Sequence, residues 1–358
     1  MKVVSVVGAR PQFIKAAPVS RELRARGHTD LLLHTGQHYD HGMSQVFFDD
    51  LEIRPPHVNL GVGSGPHGRQ TADMLAGIEE VLIAERPDWV LVYGDTNSTL
   101  AGALAACKAE LPLGHVEAGL RSFNRGMPEE HNRVLTDHCS DLLFCPTETA
   151  VANLAREGIH EGVRLVGDTM YDAVLDLLPL AEKRSNVLRD LGLAAGGYLV
   201  ATVHRAYNTD VAENLRSILA GLAALDEPVV LPLHPRTRRR IADWEKEGQR
   251  FPLASSNMRV IDPVGYLDML VLQSRARKVL TDSGGMQKEA YFLGVPCVTL
   301  RPETEWVETV EDGWNIVAGT DPEAIVRAVR AEAPRSTRRP ERFGSGKAAQ
   351  NVVRSLGE

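Results

Sequence analysis

Short apolar runs alternate with longer amphipathic stretches along this chain, and most of the runs stop abruptly in a glycine or a polar cluster. Val3 to Val7, the stretch from Arg10 to Arg26 and Leu31 to Leu33 give the first strand, helix and strand. The alternation continues through Trp89 to Val92, Leu113 to Val116, Leu142 to Phe144 and Val163 to Val166. Runs this short, apolar on both faces and separated by helical periods, predict parallel strands in a doubly wound α/β sheet. The pattern pauses near Val166-Gly167-Asp168-Thr169-Met170. It resumes at Tyr198 to Val203 and proceeds through Val229 to Leu233, Met258 to Ile261, Val279-Leu280 and Val298 to Leu300. Two domains are therefore expected, residues 1–168 and 169–344, with a short helix in the final stretch 345–358.

Open parallel sheets keep their ligands at the carboxyl ends of the strands, so the residues that end each run carry the candidate chemistry. The run before Gly94 delivers Asp95, and the run through Leu113 delivers His115 and Glu117. Glu129 and Glu130 follow in a polar turn that opens a helix. The competing reading has Asp95 capping a helix from Thr96 to Ala106 and Glu117 pairing with Arg121. In the second half, strands end in His204-Arg205, in His234-Pro235-Arg236 and in Thr281-Asp282-Ser283-Gly284-Gly285. Consecutive small residues at the start of a helix leave backbone N–H groups facing outward, a cradle for an anionic group. Glu289 lies about one turn further on, either reaching the hydroxyls of a bound ribose or paired with Lys288 on the surface.

Length and composition narrow the class. At 358 residues the chain exceeds one ordinary core. Its 43% hydrophobic and 24% charged residues suit a globular enzyme. No apolar run approaches a membrane span, and the start reads as a strand rather than a signal peptide. A net charge of −7 gives no global field for nucleic acid. The four cysteines have no paired spacing, so neither zinc nor disulfides are expected and the cytoplasm is the expected compartment. Arg10 and Lys15 put positive charge after the first strand. A single glycine stands there where a dinucleotide fingerprint needs three, so no NAD and no other cofactor is expected. His34 and His38 flank Gly36 after a strand, which argues against a metal-binding helix and for a polar active-site loop.

Taken together and in order, these motifs resemble the non-hydrolysing UDP-N-acetylglucosamine 2-epimerases: Gly8-Ala9-Arg10-Pro11-Gln12, Gly94-Asp95-Thr96, His115 to Arg121, Pro128-Glu129-Glu130 with Asn132-Arg133, His204-Arg205, His234-Pro235-Arg236, and Asp282 to Gly285 with Gln287 and Glu289. The resemblance implies two Rossmann-like domains facing across a cleft, a glycosyltransferase-B-like architecture, with a last helix crossing back to the first domain. It implies a catalytic group at Asp95, Glu117, Glu129 and His204. It also implies a substrate and UDP site at Arg10, Lys15, His234, Arg236, Ser283, Gly284, Gly285 and Glu289, and a second, allosteric substrate site at Gln37, His38 and Arg69. The implied partner is a UDP-sugar, and a homodimer is expected. The reaction would interconvert UDP-GlcNAc and UDP-ManNAc by eliminating UDP to a 2-acetamidoglycal and adding it back.

Gln12 stands where many members carry Glu, and Ala206-Tyr207 follows His204-Arg205 where many have an acidic residue. Gly-Ala-Arg-Pro-Gln-Phe and Thr304-Glu305-Trp306-Val307-Glu308 are similar to a branch acting on UDP-2,3-diacetamido-2,3-dideoxy-glucuronate, an alternative substrate. The rival classes are a glycosyltransferase of the same fold, a hydrolysing epimerase that releases the free sugar, and a nucleotide-sugar sensor. A sensor would keep Ser283 to Glu289 without needing Asp95, Glu117 and Glu129 together.

Overall fold

The computed structural model describes residues 1–37, 48, 51, 53–332 and 341–358. It divides into two compact units, residues 1–176 with 341–358, and residues 177–340.

The first unit holds a parallel sheet built from β1 (Lys2–Val7), β2 (Thr29–His34), β3 (Val58–Asn59), β4 (Trp89–Tyr93), β5 (Leu113–Val116), β6 (Leu142–Cys145) and β7 (Val163–Leu165). Their spatial order is β3-β2-β1-β4-β5-β6-β7. Val3, Val4, Val6 and Val7 are all buried, because helices cover the central strand on both faces. The helix α1 (Arg10–Ala25) follows β1, α2 (His67–Glu85) precedes β4, and α3 (Asn97–Lys108) follows it. The small residues of α3 let it approach closely. A Cβ on Gly102 would come within 2.9 Å of a Val92 methyl and 3.3 Å of a Val6 methyl, so this helix packs tightly on the side chains of β1 and β4. The strand order reverses between β1 and β4, and that switch point is where a doubly wound sheet opens a crevice. Beyond β5 come α4 (Pro128–Cys139) and α5 (Glu148–Arg156), and α6 (Thr169–Arg184) follows β7.

The second unit repeats the plan with α7 (Val187–Asp190), β8 (Leu199–Thr202), α8 (Ala206–Thr209), α9 (Ala212–Ala223), β9 (Val229–Pro232), α10 (Pro235–Lys246), β10 (Met258–Ile261), α11 (Tyr266–Arg275), β11 (Lys278–Thr281), α12 (Gly284–Leu293) and β12 (Cys297–Thr299). The helix α13 (Val307–Glu311), β13 (Asn315–Val317) and α14 (Pro322–Arg330) complete it. The sheet order is β10-β9-β8-β11-β12-β13, all parallel, and the switch point falls between β8 and β11. One core joins the apolar faces of α9 and α14 to β8, β9, β11 and β12 through Leu215, Ile218, Leu222, Leu231, Leu280, Val298 and Ile325.

The chain ends in α15 (Ala348–Ser355), which packs on α1 in the first unit. Asp172 of α6 accepts the first N–H groups of α15, from Ala348 at 3.1 Å and Ala349 at 2.8 Å. Burial pushes the Asp172 carboxyl up to about 6, against the pull of those two donors. Among the described residues, no helix is long and apolar enough to cross a membrane.

Candidate active site

Each unit gathers its polar residues at its own switch point. In the first, the parallel register sets Val6 of β1 beside Val92 of β4, and Tyr93 beside Val116 of β5. Gly8, Gly94 and Glu117 therefore leave neighbouring strands on the same edge of the sheet. Gln12 closes the first turn: its Oε1 accepts the Gly8 and Ala9 N–H groups, and its Nε2 donates to the Tyr93 carbonyl and to Thr99 Oγ1. With its amide fully engaged and buried, this residue holds β1, β4 and α3 together.

Lys15, on the buried side of α1, forms an ion pair with Glu117. Both side chains are nearly out of contact with water, so the pair is little screened by solvent. Gly94 lies directly beneath it. With φ at +63°, and with Lys15 Nζ at 2.9 Å from where a Cβ would be, only glycine fits there. Glu117 itself adopts φ of +72°, a strained conformation for a residue with a side chain. It is held there by two N–H groups, its own and that of Ala118, donating to the Phe144 carbonyl.

Asp95 is fixed from α4. Arg133 donates to Asp95 Oδ2 from Nε at 3.0 Å and Nη2 at 2.7 Å, and Asn132 Nδ2 donates to the Asp95 carbonyl at 2.9 Å. The side chain of Asp95 remains 23% exposed, whereas Arg133 is buried. Thr96, not Asp95, caps α3. Arg133 also pairs with Glu130 at 2.8 Å. Burial pushes the Glu130 carboxyl up, but the Ser122 N–H and hydroxyl and the Arg133 charge outweigh it and hold it below the usual range. Glu130 thus shapes the turn before α4, while its neighbour Glu129 stands half-buried in the helix's first turn. Arg10 is half-buried at the first position of α1.

In the second unit, His204 leaves β8 and Asp282 leaves β11, the two strands that flank the switch point. His204 Nδ1 lies 2.9 Å from Asp282 Oδ1. Asp282, fully buried, also accepts the backbone N–H groups of His204 and Arg205 and the Asn208 side chain. Burial raises its pKa, yet His204 and these donors outweigh that and leave the carboxyl below the usual range. The His204 ring is therefore oriented by its Nδ1 side and half exposed. One residue on, Ser283 caps α12, whose first residues are Gly284 and Gly285. Trp306 closes on this helix start: its indole nitrogen lies 3.2 Å from where a Cβ on Gly284 would be, and Lys288 Nζ stands 4.1 Å over its ring. Glu289 is buried within α12, accepting from Tyr266 at 2.9 Å and Gln273 at 2.7 Å. His234 is exposed just before α10, and Arg236 lies in that helix's first turn.

Two further sequence candidates lie elsewhere in the first unit. Gln37 accepts from the backbone and hydroxyl of Ser98 at the start of α3, and Arg69 is an exposed residue of α2 paired with Asp73. His38 falls outside the described residues. His34 is buried against Phe13, which pushes its pKa down to about 4. Among the described residues, no cluster of three His, Cys, Asp or Glu side chains could hold a metal ion.

The positioning residues are what sequence reading missed. Asp282 was visible only as part of a glycine-rich turn. Arg133 and Asn132 were visible only as a polar helix start. Their partners, His204 and Asp95, come from strands far away in sequence.

Comparison with known proteins gives a consistent picture. The family model for UDP-N-acetylglucosamine 2-epimerase matches residues 21–357. The chain is 54% identical over 359 residues to a UDP-N-acetylglucosamine 2-epimerase homolog of Methanococcus maripaludis, covering 99% of both. It is 46% identical over 365 residues to the UDP-2,3-diacetamido-2,3-dideoxy-D-glucuronate 2-epimerase of Pseudomonas aeruginosa, again 99% of both. Among solved structures, that of Methanocaldococcus jannaschii UDP-GlcNAc 2-epimerase in complex with UDP-GlcNAc and UDP superimposes with a TM-score of 0.93 at 45% identity, covering 100% of this chain and 99% of that one.

Proposed function

The chain belongs to the UDP-N-acetylglucosamine 2-epimerase family, and on that footing we propose that it is an isomerase that inverts C2 of UDP-N-acetylglucosamine to give UDP-N-acetylmannosamine. The observation that carries the reading is the pair of carboxylates on adjacent strand ends, Asp95 and Glu117, each held by its own cation. The C2 proton has no neighbouring carbonyl to acidify it. Its removal must accompany loss of UDP from C1, giving a 2-acetamidoglycal. Protonation of the other face and return of UDP then yields the epimer. Asp95, Glu117 and Glu129 supply the base and acid, a role that suits carboxylates fixed by buried partners. His204, oriented by Asp282, hydrogen-bonds or protonates the departing diphosphate.

In this reading the second unit is the nucleotide domain. Ser283, Gly284 and Gly285 offer the N-terminus of α12 to the diphosphate, with His234 and Arg236, and Glu289 takes the ribose hydroxyls. Lys15 and Arg10 offset charge that develops as the C1–O bond breaks. The protein acts on a soluble UDP-sugar, in the cytoplasm and as a homodimer. The alternative substrate, UDP-2,3-diacetamido-2,3-dideoxy-glucuronate, is supported by the Thr304 to Glu308 segment similar to that branch, in which Trp306 is packed against the start of α12.

The test is incubation with each UDP-sugar in D2O. The expected result is an epimer of one of them that carries deuterium at C2, because the proton is surrendered to a group that exchanges with solvent. An epimer that keeps its original C2 hydrogen would overturn the elimination route. No epimer from either substrate would overturn the epimerase reading.

A further inference from the structure

One buried group at the first switch point has no part in the chemistry above. His115, the third residue of β5, is fully buried, and both of its ring nitrogens face oxygen atoms. Nδ1 lies 2.7 Å from Asp137 Oδ1, and Nε2 lies 2.8 Å from the Gly94 carbonyl oxygen. A carbonyl oxygen only accepts, and so does an ionised carboxylate. Asp137 is ionised: burial pushes its pKa up, but its Oδ2 accepts from the Arg121 guanidinium at 2.7 Å and from the Gly119 N–H at 3.2 Å, two donors that do not depend on the state of His115. A neutral imidazole has one N–H and one lone pair, so in either tautomer one nitrogen would turn its lone pair on an oxygen lone pair at hydrogen-bond distance.

We infer that His115 carries a hydrogen on both ring nitrogens, and that this buried imidazolium is a positioning residue for Asp95.

The surroundings supply the balance of charge. Asp137 Oδ2 accepts from Arg121 Nη1 at 2.7 Å, and Arg121 forks onto Glu157 with two bonds of 2.7 Å. Asp137 and Glu157 thus face Arg121 and His115, two anions against two cations. Asp137 lies inside this set and Glu157 at its exposed edge. The other titratable groups nearby are the Cys145 thiol, which burial and the Asp137 charge push up, and the Lys15–Glu117 pair on the far side of Gly94.

The link to Asp95 runs through one peptide unit. The Gly94 N–H donates to the Val116 carbonyl at 2.9 Å, and the Gly94 carbonyl accepts from His115. The Asp95 carbonyl is held by Asn132 and its carboxylate by Arg133. The backbone on both sides of Asp95 is therefore pinned, and His115 is the pin on the amino-terminal side. It also sits two residues before Glu117, whose strained turn begins where β5 ends.

The positioning role rests on the proposed reaction, whereas the protonation state does not. The test is therefore in two parts. In ¹⁵N-labelled protein without substrate, the His115 ring is expected to show two N–H protons, each coupled to its own nitrogen, in the pattern of an imidazolium. A single ring N–H would overturn the inference whether or not the protein is an epimerase. His115→Gln, which can donate to only one of the two acceptors, is expected to lose about 100-fold in kcat, the scale on which a displaced catalytic group costs rate, with KM within a few-fold of the native value. His115→Asn, which keeps a donor toward Asp137, is the second variant where the first does not fold. A folded variant with native kcat would overturn the positioning role. A wild-type protein with the imidazolium spectrum and no epimerase activity would instead overturn the proposed function.

Discussion

Replacing Asp282 with asparagine isolates what a single buried carboxylate does for the second unit. Its two oxygens accept from the His204 and Arg205 backbone, from Asn208 and from the His204 ring. An amide keeps one acceptor and puts an NH2 where the other stood. The His204 ring answers by exchanging tautomers, so that Nδ1 accepts and Nε2 carries the hydrogen. Three N–H donors then lose a charged partner. A hydrogen bond to a charged group contributes about 1 kcal/mol more than one between neutral groups, so Asp282→Asn should destabilise the protein by about 3 kcal/mol. Because the native pKa is depressed, Asp282 stabilises the fold fully above the ordinary aspartate value of about 4. That contribution disappears as pH falls through the lower native value. Urea denaturation of both proteins should therefore show a constant gap from pH 8 to about 5 that narrows in more acid solution. Protonating the departing diphosphate needs a hydrogen on both ring nitrogens, a state that an amide facing Nδ1 no longer supports, so kcat should fall at least about 100-fold if His204 transfers a proton. A variant as stable as the native protein at pH 7, or one with the His204 tautomer unchanged by ¹⁵N spectroscopy, would refute the reasoning.

Two other substitutions probe the first unit. Arg133→Met leaves the Glu130 carboxylate buried without its cation and frees Asp95, and should cost about 3 kcal/mol by urea denaturation, the lower end for a broken buried pair. Asp172 has the opposite sign to Asp282. Its pKa is raised to about 6, so its favourable contribution is complete below the unfolded value near 4 and is lost as pH rises through 6. Asp172→Asn should therefore gain about 2 kcal/mol relative to the native protein between pH 4 and pH 7, read as a change in the difference between their unfolding free energies. A difference independent of pH would contradict it.

The sheets were legible in the sequence because each strand is a short apolar run with a glycine or polar stop, and Asp95, Glu117, His204 and Ser283 stand at those stops. What could not be read was pairing. Glu117 and Arg121 are four apart, the spacing of a helical ion pair, but the backbone at Glu117 turns left-handed and no helix forms there. Glu117 instead meets Lys15, whereas Arg121 meets Asp137 and Glu157. Gln12 read as a departure bearing on the sugar, yet its amide is used up in tying three elements together. The strand β13 escaped notice because a three-residue edge strand gives almost no periodic signal.

The first unit is assembled from two separated pieces of chain, with residues 177–340 coming between them. A ribosome therefore finishes the second unit before it makes the eight residues of α15. Throughout that interval the apolar face of α1 lacks Val352 and Val353, and Asp172 has no helix start to hold. The second unit is one continuous stretch and can fold as it emerges, whereas the first, its seven strands made by Leu165, lacks α15 until residues 348–355 follow. A nascent chain stalled or cleaved shortly before residue 348 would carry a finished second unit beside an incomplete first one, with oily surface available to chaperones and proteases.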